Sequence, residues 1–227
     1  ENGLVNLLNG MPTARFRHAI VCLSGYTEFS KRIRRPDIEL YSIDKKPGKD
    51  FGAYLRLWRV LRRLRPAIVH TRNLGTVDLQ WIAMTAGVKH RVHGEHGWDA
   101  SDPTGTNAKN LHIRRVCSRA IHRYVAVSQN LAAWLCDKVG VSRSRVTQIY
   151  NGVDANRFAP TVPASKELPW SNENGLGTRP SFVFGTVGRL DPIKNQLGLI
   201  DAFATLLANE AEAGLTLRLV IVGAGPM

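Results

Sequence analysis

Gly185-Thr-Val-Gly-Arg-Leu-Asp-Pro-Ile-Lys-Asn-Gln196 joins an apolar run, Ser181 to Val187, to a segment over 193–207 in which apolar residues recur at helical spacing. The apolar run predicts a buried strand, and the spacing predicts an amphipathic helix. Asp191 is suited to cap that helix and Pro192 to occupy its first position, where a missing N–H costs nothing. The stretch therefore predicts a strand, a short turn and a helix, which is the repeating unit of an α/β protein.

Two basic residues flank the predicted start of this helix. Arg189 precedes the cap, and Lys194 lies in the first turn. The free N–H groups and the positive dipole end of a helix N-terminus already favour an anion. We therefore predict a diphosphate site formed by Arg189 and Lys194, with Gly188 beside them. The alternative is that both cations are simply solvated in a turn.

The same alternation of strand and helix patterns runs through the residues before this stretch. Strands are predicted over 18–23, 38–43, 67–71, 91–95, 123–127 and 146–150, and helices over about 4–11, 54–64, 77–86, 111–122 and 129–139. Strands that alternate with helices predict an α/β fold with parallel sheets covered on both faces. Ligands of such sheets bind beyond the carboxyl ends of the strands, so the loops there are the candidate site.

The alternation is interrupted once, which divides the chain into domains. Residues 159–180 are rich in Pro, Ser, Asn and Gly and have little periodicity, which is typical of a linker. They separate a domain over 1–158 from a second domain of the same class over 181–227, which is short for a core of its own. Because a helix pattern is under way at Glu1 and a strand pattern ends just before Met227, we expect the chain to be a fragment.

Composition favours a globular protein that attracts anions. The 227 residues are 44% hydrophobic and carry a formal charge of +13, which suits nucleic acid, an anionic membrane surface or a phosphorylated substrate. Nucleic acid is disfavoured, because aromatic residues are only 7% and are not interleaved with the basic clusters. No apolar run reaches the roughly 18 to 20 residues that span a bilayer. The three cysteines include no CxxC pair, which predicts reduced thiols and a cytoplasmic protein.

The predicted helix over 54–64 has a basic face. Arg56, Arg59 and Arg63 lie opposite the apolar positions, which include Leu57 and Trp58. Such a face favours attachment to anionic lipid at the inner face of the cytoplasmic membrane. The alternative is a solvated surface helix whose apolar face, Trp58 included, packs on the sheet.

His96 is the first candidate for chemistry. It follows the predicted strand over 91–95 and opens a long loop over 97–107, and long loops at this edge of a sheet are usually functional. The alternative is a histidine that only hydrogen-bonds the loop. A zinc site is disfavoured, because His90 and His96 would be about 20 Å apart along an extended strand and His93 would point to the other face. We therefore expect no metal.

Several neighbouring residues have an open role. Asp99 and Asp102 could contact hydroxyl groups of a polar substrate, although solvated loop carboxylates are more common. Glu95 could orient a neighbour or face solvent at the edge of the sheet. Gly223 and Gly225, after the last predicted strand, could let the backbone approach a ligand, or could form a tight turn.

Several of these motifs resemble those of a known family. Val187-Gly-Arg-Leu-Asp-Pro-Ile-Lys-Asn-Gln196 and Leu219-Val-Ile-Val-Gly-Ala-Gly-Pro226 resemble the start of the nucleotide-sugar domain of family 4 glycosyltransferases, which have the GT-B fold. Val125-Ala-Val-Ser-Gln129 and Ile149-Tyr-Asn-Gly-Val-Asp154 resemble the end of that family's first domain. His70-Thr-Arg72 and His93-Gly-Glu-His-Gly-Trp-Asp99 are similar to sugar transferases of exopolysaccharide loci in PEP-CTERM-type bacteria.

The resemblance implies a retaining transferase that moves a sugar from a nucleoside diphosphate sugar to a glycan or lipid-linked acceptor, without a metal. Carried over by position, Arg189 and Lys194 would hold the donor diphosphate, together with Gly188, Gly223 and Gly225. His96 would match the family's first-domain histidine, which hydrogen-bonds the donor sugar or the reacting oxygens and does not act as a nucleophile.

Two family motifs are missing from the chain. The glycine-rich loop after the first strand would precede Glu1, and the carboxylate motif of the nucleotide domain would follow Met227, so we expect this fragment to be inactive by itself. The alternative functions are a GT-B nucleotide-sugar epimerase and a non-enzymatic polyanion-binding module. A dinucleotide dehydrogenase is disfavoured, because no GxGxxG opens a helix.

Overall fold

A computed structural model describes residues 2–48, 50–99, 101–156, 158–159, 181–209 and 216–226. The chain divides into two compact units, Glu1–Ala159 and Pro160–Met227. The linker predicted over 159–180 lies outside the described residues apart from Ala159.

The first unit alternates strands and helices as its sequence predicts. Its strands are β1 (Ala19–Cys22), β2 (Glu39–Ser42), β3 (Ile68–Arg72), β4 (His90–Glu95), β5 (Arg123–Ala126) and β6 (Val146–Gln148). Its α-helices are α1 (Asn2–Gly10), α2 (Phe51–Leu64), α3 (Leu79–Thr85), α4 (Ala108–Cys117) and α5 (Gln129–Trp134). β1 pairs with β2, and β3, β4, β5 and β6 form a second sheet in that order. All of these pairings are parallel, as crossover helices require.

Two apolar clusters hold this unit together. In one, Tyr124 of β5 and Leu135, both almost fully buried, pack with residues of α4 and α5. In the other, Ile43 and Leu57 pack with Ala83 of α3, and side chains of both β1 and β3 lie against them. The second cluster therefore ties the two-stranded sheet to the four-stranded one through α2 and α3.

Polar side chains decide where the helices begin. The Asp50 carboxylate accepts the N–H of Ala53 at 3.1 Å at the start of α2, and the Ser128 hydroxyl accepts the N–H of Leu131 at 3.2 Å at the start of α5. The predicted start of α4 near Leu111 is wrong. The Asn107 side chain accepts the N–H groups of the first turn, so the helix begins at Ala108 and ends at Cys117.

The second unit contains β7 (Ser181–Val187), α6 (Gln196–Asn209) and β8 (Thr216–Val222), and β7 pairs with β8 in parallel. The predicted start of its helix is also wrong. Asp191 caps only a single 3₁₀ turn, Pro192–Lys194, by accepting the N–H of Ile193 at 3.2 Å. Asn195 then takes a left-handed conformation with φ of 51°, so α6 begins three residues later than expected.

The apolar face that the sequence places on α6 is largely uncovered. Leu197 is 61% exposed, and Ile200 and Leu207 are each 44% exposed. The prediction that the strand over 181–187 is buried is wrong within the described part of this unit, because Phe182 and Val187 are 57% and 84% exposed. The helical spacing is therefore real, although the apolar residues do not form a closed core among the described residues of this unit.

Candidate functional site

The candidate site of the first unit lies where β3 and β4 end. Because the strands are parallel, their carboxyl ends share one edge of the sheet, and the segments that leave them meet there. Asn73, just after β3, joins the two: its N–H donates to Gly94 O at 2.8 Å, and its side-chain oxygen accepts the N–H of His96 at 2.8 Å. Asn73 has a φ of 58°, which is uncommon for a residue with a side chain and typical of functional sites.

Below this edge, a chain of polar groups crosses the interior between the sheet and α3. The Gln80 side-chain N–H₂ of α3 donates to Val92 O and to the Thr71 hydroxyl, each at 2.7 Å. The Thr71 oxygen lies 2.7 Å from Nδ1 of His93, a ring with no exposed surface. His93 therefore faces the helices, away from His96, as the strand alternation predicts.

Glu95 continues this buried polar layer toward α4. Arg114 donates two hydrogen bonds to the carboxylate, Nε to Oε1 at 2.7 Å and an Nη to Oε2 at 3.3 Å, and both side chains are buried. His93 Nε2 lies 3.5 Å from Oε1 and makes no aligned hydrogen bond, so Arg114 is the principal partner. Burial alone would raise the pKa of Glu95, but its interactions with His93 and Arg114 prevail and lower it. Glu95 thus does not face solvent.

Arg114 also fixes the loop that follows His96. Its guanidinium lies 4.9 Å from the ring centroid of Trp134, whose indole N–H donates to Gly105 O at 2.8 Å. Trp98 meets Trp134 edge to face at 5.3 Å between ring centroids. Gly105, with φ of 65°, is required here, because a Cβ would lie 2.3 Å from the Trp98 ring. Trp98 and Gly105, near the two ends of the loop, therefore both contact Trp134, which in turn packs on Arg114 of the buried ion pair.

The loop carboxylates have structural partners. Asp102 is buried and accepts the N–H groups of Thr106 and Asn107 at 3.0 and 3.2 Å. Asp99 accepts both the N–H and the hydroxyl of Ser101, which lowers its pKa. The expectation that both are solvated is wrong for Asp102, and its carboxylate is already saturated by the loop. A water-sized hollow of about 30 Å³ remains beside the loop, lined by Asn73, Leu74, Gly97, Trp98, Asp99 and Arg114.

His96 itself is half-buried at this edge of the sheet, and its Nε2 is buried without a hydrogen-bond partner. Burial and the charge of Arg72 lower the pKa of His96. The ring is therefore neutral near pH 7 and has one nitrogen free to bond a ligand.

In the second unit, Arg189 and Lys194 lie on either side of the 3₁₀ turn rather than at the start of an α-helix. Arg189 is 67% exposed and pairs with Asp191 at 2.8 Å. Its carbonyl accepts a hydrogen bond at 2.8 Å from the side chain of Gln196 at the start of α6. Lys194 is exposed. Both cations are available to a ligand, since an exposed ion pair such as Arg189–Asp191 is worth at most about 1 kcal/mol.

Gly188, Gly223 and Gly225 lie where β7 and β8 continue side by side beyond their ends. Gly188 N–H donates to Val222 O at 2.9 Å, and Leu190 N–H donates to Ala224 O at 3.1 Å. A Cβ on Gly223 or Gly225 would lie only 1.8 or 1.9 Å from the facing carbonyl oxygen. Close backbone contact therefore explains the two last glycines without a ligand, and their place in a donor site stays a prediction.

Arg72 was not among the candidate site residues predicted from the sequence. It is the last residue of β3 and lies one residue beyond the predicted strand. Its signal was the pattern His70-Thr-Arg72, in which two polar side chains share one face of a strand. No three His, Cys, Asp or Glu side chains within the described ranges are grouped so as to hold a metal ion. None of the helices in that part of the chain is long and apolar enough to cross a membrane.

The two units define an α/β protein of the GT-B class, with parallel sheets and polar residues where strands end. The chain belongs to glycosyltransferase family 4, whose family model matches residues 1–157. It is similar to the UDP-Gal:alpha-D-GlcNAc-diphosphoundecaprenol alpha-1,3-galactosyltransferase of Escherichia coli, with 29% identity over 165 residues. The aligned region covers 71% of this chain and 42% of that protein.

Solved structures agree with this fold. The structure of Anabaena Alr3699/HepE in complex with UDP and glucose superposes with a TM-score of 0.67 at 19% identity, over 96% of this chain and 56% of that one. The same protein in complex with UDP-glucose gives a TM-score of 0.64 at 19% identity, with the same coverage of both chains. The chain thus spans about half the length of the proteins it matches.

Proposed function

We propose that the whole protein is a retaining glycosyltransferase. It transfers a hexose from a nucleoside diphosphate sugar to a glycan or lipid-linked acceptor in the synthesis of exopolysaccharide or another cell-surface glycan. The observation that carries this proposal is the family 4 match over residues 1–157. The E. coli relative, whose name specifies a UDP-sugar donor and a diphosphoundecaprenol-linked acceptor, supports the substrate classes.

The proposed chemistry uses charge supplied by side chains. Arg189 and Lys194 bind the donor diphosphate and neutralise the negative charge that builds on it as the sugar leaves, in the role a metal ion has in other enzymes. Arg189 exchanges its exposed partner Asp191 for the phosphate. The free Nε2 of His96 hydrogen-bonds the donor sugar or one of the reacting oxygens and does not attack the sugar.

Transfer from UDP- and GDP-hexoses by the whole protein tests this proposal, with the anomeric configuration of the product determined by NMR. Arg189→Ala and Lys194→Ala should each lower kcat/KM by about 10²- to 10³-fold, the effect of removing one donor that stabilises transition-state charge. Arg119→Ala, an exposed arginine after α4, is the matched control and should be unchanged.

Two outcomes would contradict the proposal. Near-wild-type kcat/KM in both Arg189→Ala and Lys194→Ala would remove the diphosphate assignment. Conversion of the nucleotide sugar to its epimer without an acceptor would favour the epimerase.

We also propose that α2 attaches the protein to an anionic membrane surface. Phe51 and Leu55, one turn apart, are 76% and 49% exposed. Arg62 lies over the Trp58 ring at 5.7 Å, and Arg59 is exposed beside it. Apolar and basic side chains therefore share one outward face, the pattern of a helix that lies in a membrane interface. An open apolar hollow next to it is lined by Tyr54, Leu55, Trp58 and Ile82.

Co-sedimentation of the 227-residue chain with phosphatidylglycerol vesicles tests this attachment, with phosphatidylcholine vesicles for comparison. Phe51→Ser combined with Leu55→Ser should weaken binding by about tenfold or more, because about 25 cal/mol is lost per Å² of apolar surface. Leu7→Ser, at a residue of α1 that is 46% exposed, is the control. Equal binding by the double variant and the control would show that charge alone holds the chain to the vesicles.

A further inference from the structure

Among the described residues, none provides a counterion for the guanidinium of Arg72. Its backbone is held by Thr76, whose hydroxyl accepts the Arg72 N–H at 2.8 Å. The side chain is half-buried, yet no hydrogen bond or ion pair joins its guanidinium to another described residue. Arg114, by contrast, is matched by Glu95. Withdrawing an unpaired charge from water costs free energy, which a ligand of opposite charge would recover.

Two imidazoles converge beside Arg72. In the parallel register Arg72 pairs with Gly94, and His70 and His96 lie on the same face of the sheet by strand alternation. A Cβ on Gly94 would lie 2.9 Å from His70 Nε2 and 2.6 Å from His96 Nε2. Both Nε2 atoms therefore lie over the one position in β4 that has no side chain, and their rings fill the space that a Cβ would need.

The charge of this cluster selects the ligand. Arg72 repels a metal cation. Burial, followed by the charge of Arg72, lowers the pKa of His96 and also that of His70, although the surface of His70 is in part exposed. A neutral sugar hydroxyl would bond His96 but leave Arg72 without a counterion. A phosphate-type anion satisfies all three groups, because it accepts bidentate hydrogen bonds from a guanidinium and further ones from imidazole N–H groups.

We propose that His70, Arg72 and His96 form a binding subsite for a phosphate or diphosphate group. The subsite rests on the proposed function for the identity of the ligand: the group is the phosphate of a lipid-linked acceptor or the diphosphate of the sugar donor. Both share one chemistry, and kinetics distinguish them.

The direct test is a titration of the 227-residue chain with pyrophosphate, followed through the imidazole nitrogens by NMR. The Nε2 signals of His70 and His96 should shift together, and the pKa of both rings should rise when the anion is bound. Arg72→Gln should weaken binding at least about tenfold, the loss expected for a charge-assisted hydrogen bond. Arg119→Gln makes the same change of charge before β5, at the opposite edge of the sheet, and should not.

The affinity is read from the His70 and His96 signals, because Arg189 and Lys194 are proposed to bind diphosphate as well. Equal affinity at these signals in Arg72→Gln and Arg119→Gln, or shifts that do not involve His70 and His96, would overturn the subsite even if the protein transfers sugar. The two sources are separated in the whole protein. Arg72→Gln raises KM for the acceptor if the acceptor carries the bound phosphate, and raises KM for the nucleotide sugar if the donor does. An unchanged KM for both substrates would also overturn the proposal, whereas a protein that binds pyrophosphate at Arg72 without transferring sugar would contradict only the proposed function.

Discussion

At the residue scale, Glu95 and Arg114 form a buried ion pair next to the site. They are 1% and 4% exposed, so both charges are withdrawn from water and each depends on the other. The desolvation cost of such a pair can exceed its Coulombic gain, so the pair is weak evidence for stability by itself. Its value here is positional, because Arg114 also contacts Trp134 and so holds the loop that begins after His96.

Arg114→Met should therefore destabilise the first unit by about 3 to 5 kcal/mol, because Glu95 would remain buried and charged without its partner. Urea unfolding followed by tryptophan fluorescence measures the loss. The double variant Glu95→Leu with Arg114→Met should recover most of it, since no buried charge is left. Arg119→Met, which removes an exposed arginine, is the control. A cost below 1 kcal/mol for Arg114→Met would show that the ion pair is solvated.

At the scale of elements, apolar periodicity predicts the strands well and single polar residues decide the rest. The strand predicted over 123–127 is β5, Arg123–Ala126, in which the buried Tyr124 and Ala126 alternate with less buried neighbours, and such alternation is a local pattern. The starts of α2, α4 and α6 were each misplaced by three residues. Each start depends on one residue: the Asp50 cap, the Asn107 cap and the left-handed Asn195. The effect of a single capping or left-handed residue is not visible in the hydrophobic periodicity of the sequence.

The same distinction applies to the site. His96 could be predicted because it follows a strand and opens a long loop, and both features are read locally. The burial of Glu95 could not, because its partner Arg114 lies 19 residues further along the chain. Arg72 was missed for a different reason. Its importance lies in a counterion that the described structure does not provide, and a sequence does not show which charges will go unpaired.

At the scale of the whole molecule, titratable groups couple the fold to pH. The pKa values of His70 and His96 are lowered by burial and by Arg72, so the folded chain favours the neutral rings. Among the carboxylates, backbone hydrogen bonding from Lys46 is the largest influence on Asp50 and lowers its pKa to about 2. A hydrogen bond from Tyr41 likewise lowers the pKa of Glu39. The two kinds of group act in different pH ranges.

Acidification should therefore destabilise the first unit in two stages. Below about pH 6.5 the unfolded chain protonates His70 and His96 while the folded chain does not, so stability falls with pH. Below about pH 4 the unfolded chain also protonates the carboxylates, and the stabilisation from Asp50 and Glu39 is lost as pH falls through their folded-state values. The midpoint of urea unfolding, measured from about pH 7.5 to 2, should show both declines. His96→Gln should make the first decline shallower, since the contribution of His70 remains, and should leave the second. His112→Gln, at an exposed position of α4, should leave the first decline unchanged. Two outcomes would contradict this prediction: a midpoint that is constant between about pH 7.5 and 5.5, or the same pH profile for His96→Gln and His112→Gln. Either would show that the fold does not keep the ring of His96 neutral. The hydrogen-bonding role proposed for its Nε2 would then lose its electrostatic basis.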